Sequence, residues 1–349
     1  MILYPLIFSL FVLIISFFLV PINIKISNKV GLISIPNDRS VHAQNTPSAG
    51  GLSFAIPIIM SEIILLFMIQ DEFFHKNMLG LIVGNILVLT LGIVDDKYCL
   101  NAKLKLLGQL LLAVSMFFLG FRIEQITNPF GASIPIYDFS FPLTLIWYLV
   151  IMNAMNLIDG LDGLAAGITI ICCIVLAIAG FYYGNITVLV SSLLLASGCL
   201  SFLYYNYPPA KIFMGDSGSL FIGFQFASIS ILGTYQLKGL TTMTLLIPVT
   251  VLFVPLLDVL TSIYRRLKNK QNIFKADKMH IHHRMLKTGF SVKTVMLISW
   301  FVTLLFALLA LGYILVNRQI MLVILLSLSI LTGIFFYYLV KKEFFKWED

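Results

Sequence analysis

Unbroken apolar runs of about eighteen residues recur from one end of this chain to the other, and each is long enough to cross a bilayer. A backbone in lipid must satisfy its own hydrogen bonds, so such runs fold as helices. They fall at about 2–24, 50–70, 77–94, 106–121, 142–158, 164–182, 186–204, 219–237, 241–263, 293–316 and 319–340. The expected fold is an all-α polytopic membrane protein with about eleven transmembrane helices, a single integral domain over residues 1–349. Composition agrees, with 59% of residues hydrophobic and 11% charged, where soluble domains carry about 25% charged residues. The first run lacks a basic leader and a small-residue cleavage site, so it reads as a retained span and not as a signal peptide.

The charges then orient the chain. Lys76, Arg122, Lys238 and Arg318 fall in alternate loops on one side, and the other 19 of the 23 Lys and Arg fall on the opposite side. The basic side is expected to be cytoplasmic, which puts the N-terminus outside and the C-terminus inside. The net charge of +7 therefore implies anionic lipid as a neighbour and gives no reason to invoke nucleic acid. On the outer side, Asn128-Pro-Phe-Gly131 between Ile-rich segments predicts a small β-hairpin. Cys99, Cys172, Cys173 and Cys199 lack metal-ligand spacing and read as free thiols.

Five loops on the basic side hold most of the conspicuous acids and histidines. The most concentrated is Asn153-Ala-Met-Asn156-Leu-Ile-Asp159-Gly-Leu-Asp162-Gly163, where one apolar run ends and the next begins. Acids at a span boundary are costly unless they bind something. Helix capping around a tight turn would explain one of them, but two acids and two amides exceed that need. Gly160 and Gly163 argue for a turn or break and allow backbone N–H groups to approach a ligand.

Asp95-Asp96 closes another span. Neighbouring carboxylates repel, and acids at a helix C-terminus oppose the helix dipole. Such a pair favours a cation, and with Asp216 the hard oxygens suit Mg²⁺. Gly215-Asp216-Ser-Gly218-Ser219 opens a helix, where Asp and Ser are ordinary caps but a phosphate can also dock. Phe213 just before it could stack a base. Lys105 starts a span, where snorkelling competes with a binding role. His280, His282, His283 and Arg284 offer donors to an anion. A basic loop on lipid is the plain alternative, and zinc is disfavoured by the lack of His-x-x-x-His spacing. Arg39 and His42 are further phosphate contacts. Glu62 and Asp258 lie within spans; Arg265 and Arg266 are near enough to pair with Asp258, whereas no partner for Glu62 is legible.

Together these motifs resemble the polyprenyl-phosphate N-acetylhexosamine-1-phosphate transferases. The resemblance covers residues 31 to 293 and rests on a definite series of matches. These are His42 with Pro47 and Gly50-Gly51, Asp95-Asp96 with Lys105 and Gln109, the Asn153–Asp162 stretch followed by Gly163-Leu-Ala, Gly215-Asp216-x-Gly218-Ser219, and His280-Ile-His282-His283-Arg284. It implies a glycosyltransferase that moves a sugar-1-phosphate from a UDP-sugar to undecaprenyl phosphate with Mg²⁺ (Mn²⁺ as a substitute), releasing UMP. By resemblance, Asp95 or Asp96 deprotonates or orients the lipid phosphate, and Asp216 with Asp96 holds the metal. Asn156, Asp159, Asp162 and Phe213 hold the nucleotide. Lys105, the three histidines, Arg284, Arg39 and His42 bind phosphate or sugar.

The last loop is similar to the N-acetylglucosamine-1-phosphate branch that initiates O-antigen (lipopolysaccharide), enterobacterial common antigen, teichoic acid or related glycans, which makes UDP-GlcNAc the first donor and leaves related donors such as UDP-diNAcBac or UDP-QuiNAc open. The muramoyl-pentapeptide branch usually has three adjacent histidines there. The implied location is the bacterial cytoplasmic membrane with the site on its inner face. Pro248 and Pro255 should bend span 241–263, beside which the lipid tail is expected to run. A transporter needs polar groups near mid-membrane and access from both sides, which the one-sided site disfavours. A catalytically dead scaffold is disfavoured by the intact acids. Oligomeric state, including a homodimer, stays open.

Overall fold

The computed structural model describes residues 3–34, 45–127, 133–235, 266, 281–315 and 318–344. Eleven α-helices lie among them. They are α1 (Leu3–Val30), α2 (Leu52–Met68), α3 (Glu72–Tyr98), α4 (Ala102–Phe118), α5 (Ser140–Ile158), α6 (Leu164–Tyr182), α7 (Ile186–Asn206), α8 (Gly215–Tyr235), α9 (Ile281–Lys287), α10 (Val292–Leu315) and α11 (Arg318–Phe344). Six are long and apolar enough to cross a membrane, and residues 52–68 and 323–335 form shorter apolar helices. The chain is thus an all-helical, multi-pass membrane protein. The expected span 241–263, with Pro248, Pro255 and Asp258, lies outside the described residues, as do Arg39, His42 and His280.

The helices sort by what covers them. On α1, Ser9, Val12, Ser16, Val20, Asn23 and Ser27 recur every three or four residues and are buried. That small and polar stripe packs on α7 and α2. Small residues let membrane helices approach closely where hydrophobic burial offers no gain over lipid. The opposite face, with Leu10, Phe18 and Ile22, is exposed. By contrast α8 is the central helix. Its residues from Ser217 to Leu232 are all buried, packed on by α3, α5 and α7.

Glycines set the closest approaches around α8. A Cβ on Gly92 of α3 would lie 2.4 Å from Ser217 Cα, and one on Gly51, just before α2, 2.2 Å from Gly218 Cα. The expected hairpin is present as β3 (Gln125–Thr127) and β4 (Ser133–Pro135), with Ile126 opposite Ile134. A second antiparallel pair, β1 (Ile33–Ser34) with β2 (Thr46–Pro47), has no counterpart in the sequence reading. Two-residue strands show no period from which to infer them.

Candidate active site

The site is assembled from helix ends. Helix α3 stops where Cys99 takes a left-handed conformation, and Asn101 caps α4 by accepting from Leu104 N at 2.9 Å. This elbow brings Lys105 back onto Asp95, with Nζ to Oδ2 at 2.9 Å. Asp95 Oδ1 accepts from Leu100 N at 3.0 Å. Its Oδ2, though ion-paired, is buried without a well-directed hydrogen bond. The same ammonium contacts Asp216 Oδ1 and lies 3.3 Å from Asn156 Oδ1. Asn156 donates from Nδ2 both to Asp216 Oδ1 and, at 2.9 Å, to Ser219 Oγ. One turn back on α5, Asn153 exchanges amide hydrogen bonds with the buried Gln109 of α4, the shorter at 2.8 Å. Four sequence-separated elements therefore meet at Lys105.

Asp96 does something its position in the sequence does not reveal. Its Oδ1 accepts from Asp216 N at 2.7 Å and its Oδ2 from Ser217 N at 3.0 Å. A carboxylate from α3 thus caps α8 from outside, satisfying two free amides and meeting the positive end of the helix dipole. The N-terminus of α8, for which the sequence left both an ordinary cap and a docked phosphate open, holds this carboxylate. Gly215 permits the approach: its φ is +74° and a Cβ there would sit 2.7 Å from Asp96 Oδ1.

The Asp159–Gly163 break is as expected. Helix α5 ends at Ile158, and Gly163 is left-handed with φ +72° before α6 starts. Asn206, to which sequence reasoning gave no role, ties this break to the next loop. Its Oδ1 accepts from Gly163 N at 2.8 Å and its Nδ2 donates to Ile212 O at 2.8 Å. Asp162 Oδ2 accepts from Ala210 N at 3.0 Å. Phe213 is half-buried, and its backbone is bracketed by the first loop: Phe213 N donates to Pro47 O at 2.8 Å and Gly50 N to Phe213 O at 2.9 Å. Asn206 was detectable only as one more amide at a span end.

The start of α10 reaches the margin of this face. Helix α9 packs on α10 and α11 and holds Arg284, which is mostly buried. The side chains of His282 and His283 lie outside the described residues. At the start of α10, Lys293 Nζ is 5.5 Å from the Tyr207 ring, and Met296 faces Gly163.

Five carboxylates crowd this face: Asp95, Asp96, Asp159, Asp162 and Asp216. Burial of the Asp159 carboxyl, then the negative charges of Asp216, Asp96 and Asp162, push it well above the usual carboxylate range. The excess of carboxylates over cations, five acids against the Lys105 ammonium, fits Mg²⁺ or Mn²⁺. Among the described residues no three acid, histidine or cysteine side chains form a closed metal cage. Mg²⁺ does not require one, since it commonly takes one or two carboxylates and completes its shell with water and phosphate.

Known proteins match this chain in sequence over the site. The family model described as Glycosyl transferase family 4 matches residues 78–234, which hold Asp95, Lys105, Asn156, Asp159 and Asp216. A probable undecaprenyl-phosphate N-acetylglucosaminyl 1-phosphate transferase of Bacillus subtilis is 38% identical over 288 residues, 82% of this chain and 78% of that protein. A decaprenyl-phosphate N-acetylglucosaminephosphotransferase of Mycobacterium tuberculosis is 35% identical over 301 residues, 79% of this chain and 74% of its own length. A phospho-N-acetylmuramoyl-pentapeptide-transferase of Staphylococcus epidermidis is 30% identical, covering 87% of this chain and 98% of its own. With these relatives and this cluster of helix ends, the chain belongs to glycosyl transferase family 4, the polyprenyl-phosphate N-acetylhexosamine-1-phosphate transferases, and is a phosphoglycosyltransferase.

Proposed function

We propose that the enzyme transfers GlcNAc-1-phosphate from UDP-GlcNAc to undecaprenyl phosphate with Mg²⁺, on the cytoplasmic face of a bacterial inner membrane. Eleven spans, an outside N-terminus and an inside C-terminus complete this reading, supported by the one-sided distribution of Lys and Arg. The observation that carries it is the Lys105 ammonium held between Asp95 and Asp216 within a ring of acids. The GlcNAc donor is supported by the higher identity of the two N-acetylglucosamine relatives and by the His280-Ile-His282-His283-Arg284 pattern. A muramoyl-pentapeptide donor is the second reading, favoured by the staphylococcal relatives of that kind at 29–33% identity. The product starts a lipid-linked envelope glycan of the O-antigen or teichoic acid kind.

In the reaction an oxygen of the lipid phosphate attacks the β-phosphorus of the UDP-sugar. The bond from that phosphorus to the bridging oxygen breaks, and UMP leaves with the oxygen. Such transfers need positioning and charge neutralisation more than a covalent nucleophile. Asp95 accepts or orients the lipid phosphate proton. Lys105 holds a phosphate oxygen, and Asn156, Asp159, Asp162 and Phe213 line the nucleotide. Arg284, His280, His282, His283, Arg39 and His42 complete the phosphate and sugar contacts. Asp216, with the remaining lone pairs of Asp96, would hold Mg²⁺, which when bound neutralises the pyrophosphate.

Purified enzyme with UDP-GlcNAc, Mg²⁺ and undecaprenyl phosphate should release UMP and form lipid-linked sugar. Release only with UDP-muramoyl-pentapeptide would transfer the assignment to the second reading, and no UMP with any donor in a panel would defeat both.

A further inference from the structure

Deep in the helix bundle sits a second polar cluster. Glu62 of α2, Asn85 of α3 and Gln225 of α8 are all fully buried. Asn85 Nδ2 donates to Glu62 Oε2 at 2.7 Å. Gln225 Nε2 is 3.2 Å from Glu62 Oε1 and 3.0 Å from Asn85 Oδ1. Three helices each contribute one member, and every pair is bonded.

These are the helices that build the α3–α8 edge of the site. Helix α3 carries Asp95 and Asp96, α8 carries Asp216 to Ser219, and α2 follows Gly51. On each, the triad residue lies about 15 Å along the axis from the site, or about three turns. Between the two levels the contacts stay in step. Gly84 meets the Phe224 ring, Asn85 meets Gln225, Gly92 meets Ser217 and Asp96 meets the Asp216 and Ser217 amides. As numbers rise on α3 they fall on α8, the signature of one antiparallel register held from triad to site. For α2 and α8 the register is parallel, through Gly51 with Gly218, Phe54 with Phe221, and Glu62 with Gln225.

We propose that Glu62, Asn85 and Gln225 are positioning residues that fix the axial register of α2, α3 and α8, and through it the docking of Asp96 on the first amides of α8. Apolar contacts between membrane helices tolerate sliding, because lipid and leucine are alike to them. A buried polar set does not. A slip of one turn, about 5.4 Å, would strand every member without a partner, buried and unsatisfied. Buried polar groups that specify register are well attested in coiled helices. Glu62→Gln keeps the side chain's shape and one accepting oxygen, so it removes the acid while retaining two of the triad's three bonds.

The activity arm of the test rests on the transferase reading above; the exchange arm does not. In the full-length protein, hydrogen–deuterium exchange of the peptide holding Asp216 and Ser217 is compared between parent, Glu62→Gln and the triple variant Glu62→Leu/Asn85→Leu/Gln225→Leu. The all-leucine variant should unfold within a few degrees of the parent, since apolar replacement of a buried polar set is often neutral. Its 216–217 amides should exchange about tenfold faster and its UMP turnover fall about tenfold, with KM little changed. Glu62→Gln should keep both within about twofold. Should the triple variant not fold, Gln225→Met carries the same comparison, losing both bonds made by Gln225. Unchanged exchange at 216–217 overturns the proposal, as does faster exchange spread evenly over all helices. An inactive parent with the expected exchange pattern would refute the substrate reading and leave the register role standing.

Discussion

The two polar clusters of this protein are built on opposite plans. Around Glu62 every side chain is sealed from solvent, one acid is matched by two amides, and the three residues bond one another in a closed ring. Around Lys105 five acids crowd a face that keeps an open edge, with the Asp216 side chain 29% exposed. The first cluster closes on itself, its three side chains bonded pairwise with Gln225 Oε1 left over. The second carries more negative charge than the nearby ammonium can balance, the state expected of a site that awaits a cation and phosphates. Shared helices couple them: α3 and α8 run through both.

The contrast is broken most directly at Lys105. Lys105→Met should leave the fold intact and lower UMP release about a hundredfold or more, because a charge aimed at developing negative charge is lost. Turnover within about threefold of the parent would remove Lys105 from the phosphate-binding set. Gly92→Ala tests the region between the clusters. Its Cβ would meet Ser217 backbone at 2.4 Å, so α3 and α8 must separate, at a cost of about 1–3 kcal/mol in stability. Thermal unfolding should register that loss and turnover should fall with it; an unshifted midpoint would show that the α3–α8 contact yields freely.

The smallest effect is expected at Asp159. Its carboxyl is held above the ordinary range, so the folded chain favours the protonated form. The stabilisation linked to this proton is complete at low pH and is lost as pH rises through the elevated folded value. Without divalent cation, the parent should therefore lose thermal stability as pH rises above the ordinary carboxylate range, and Asp159→Asn should flatten that slope. A slope unchanged by the substitution would assign the loss to another group.

Much of the site could be read from sequence because it is punctuated locally. Asp159, Gly160, Asp162 and Gly163 interrupt an apolar pattern, and the structure breaks the helix at that place. Asp95 and Lys105 lie ten residues apart across one elbow, so their meeting was within reach of a sequence argument. What stayed hidden depends on contacts between distant helices. Asp96 reaches the α8 amides across 120 residues or more. Glu62 finds Asn85 at a separation of 23 and Gln225 at 163, and no period along a single helix points to either. The same applies to Asn206, whose bonds run to Gly163 and Ile212.

The bracket between the first loop and Phe213 has a consequence for biogenesis. Among the described residues, Pro47 O, Gly50 N and Gly51 N find their partners on Phe213 and Met214. A ribosome synthesises and inserts the first spans well before those partners exist. Until α7 has entered the membrane and the following loop is made, the segment ahead of α2 has backbone groups waiting for a strand-like companion. The nascent protein therefore gains its reactive face late, in one closing event, and a chain arrested before residue 213 should be inserted yet chemically inert.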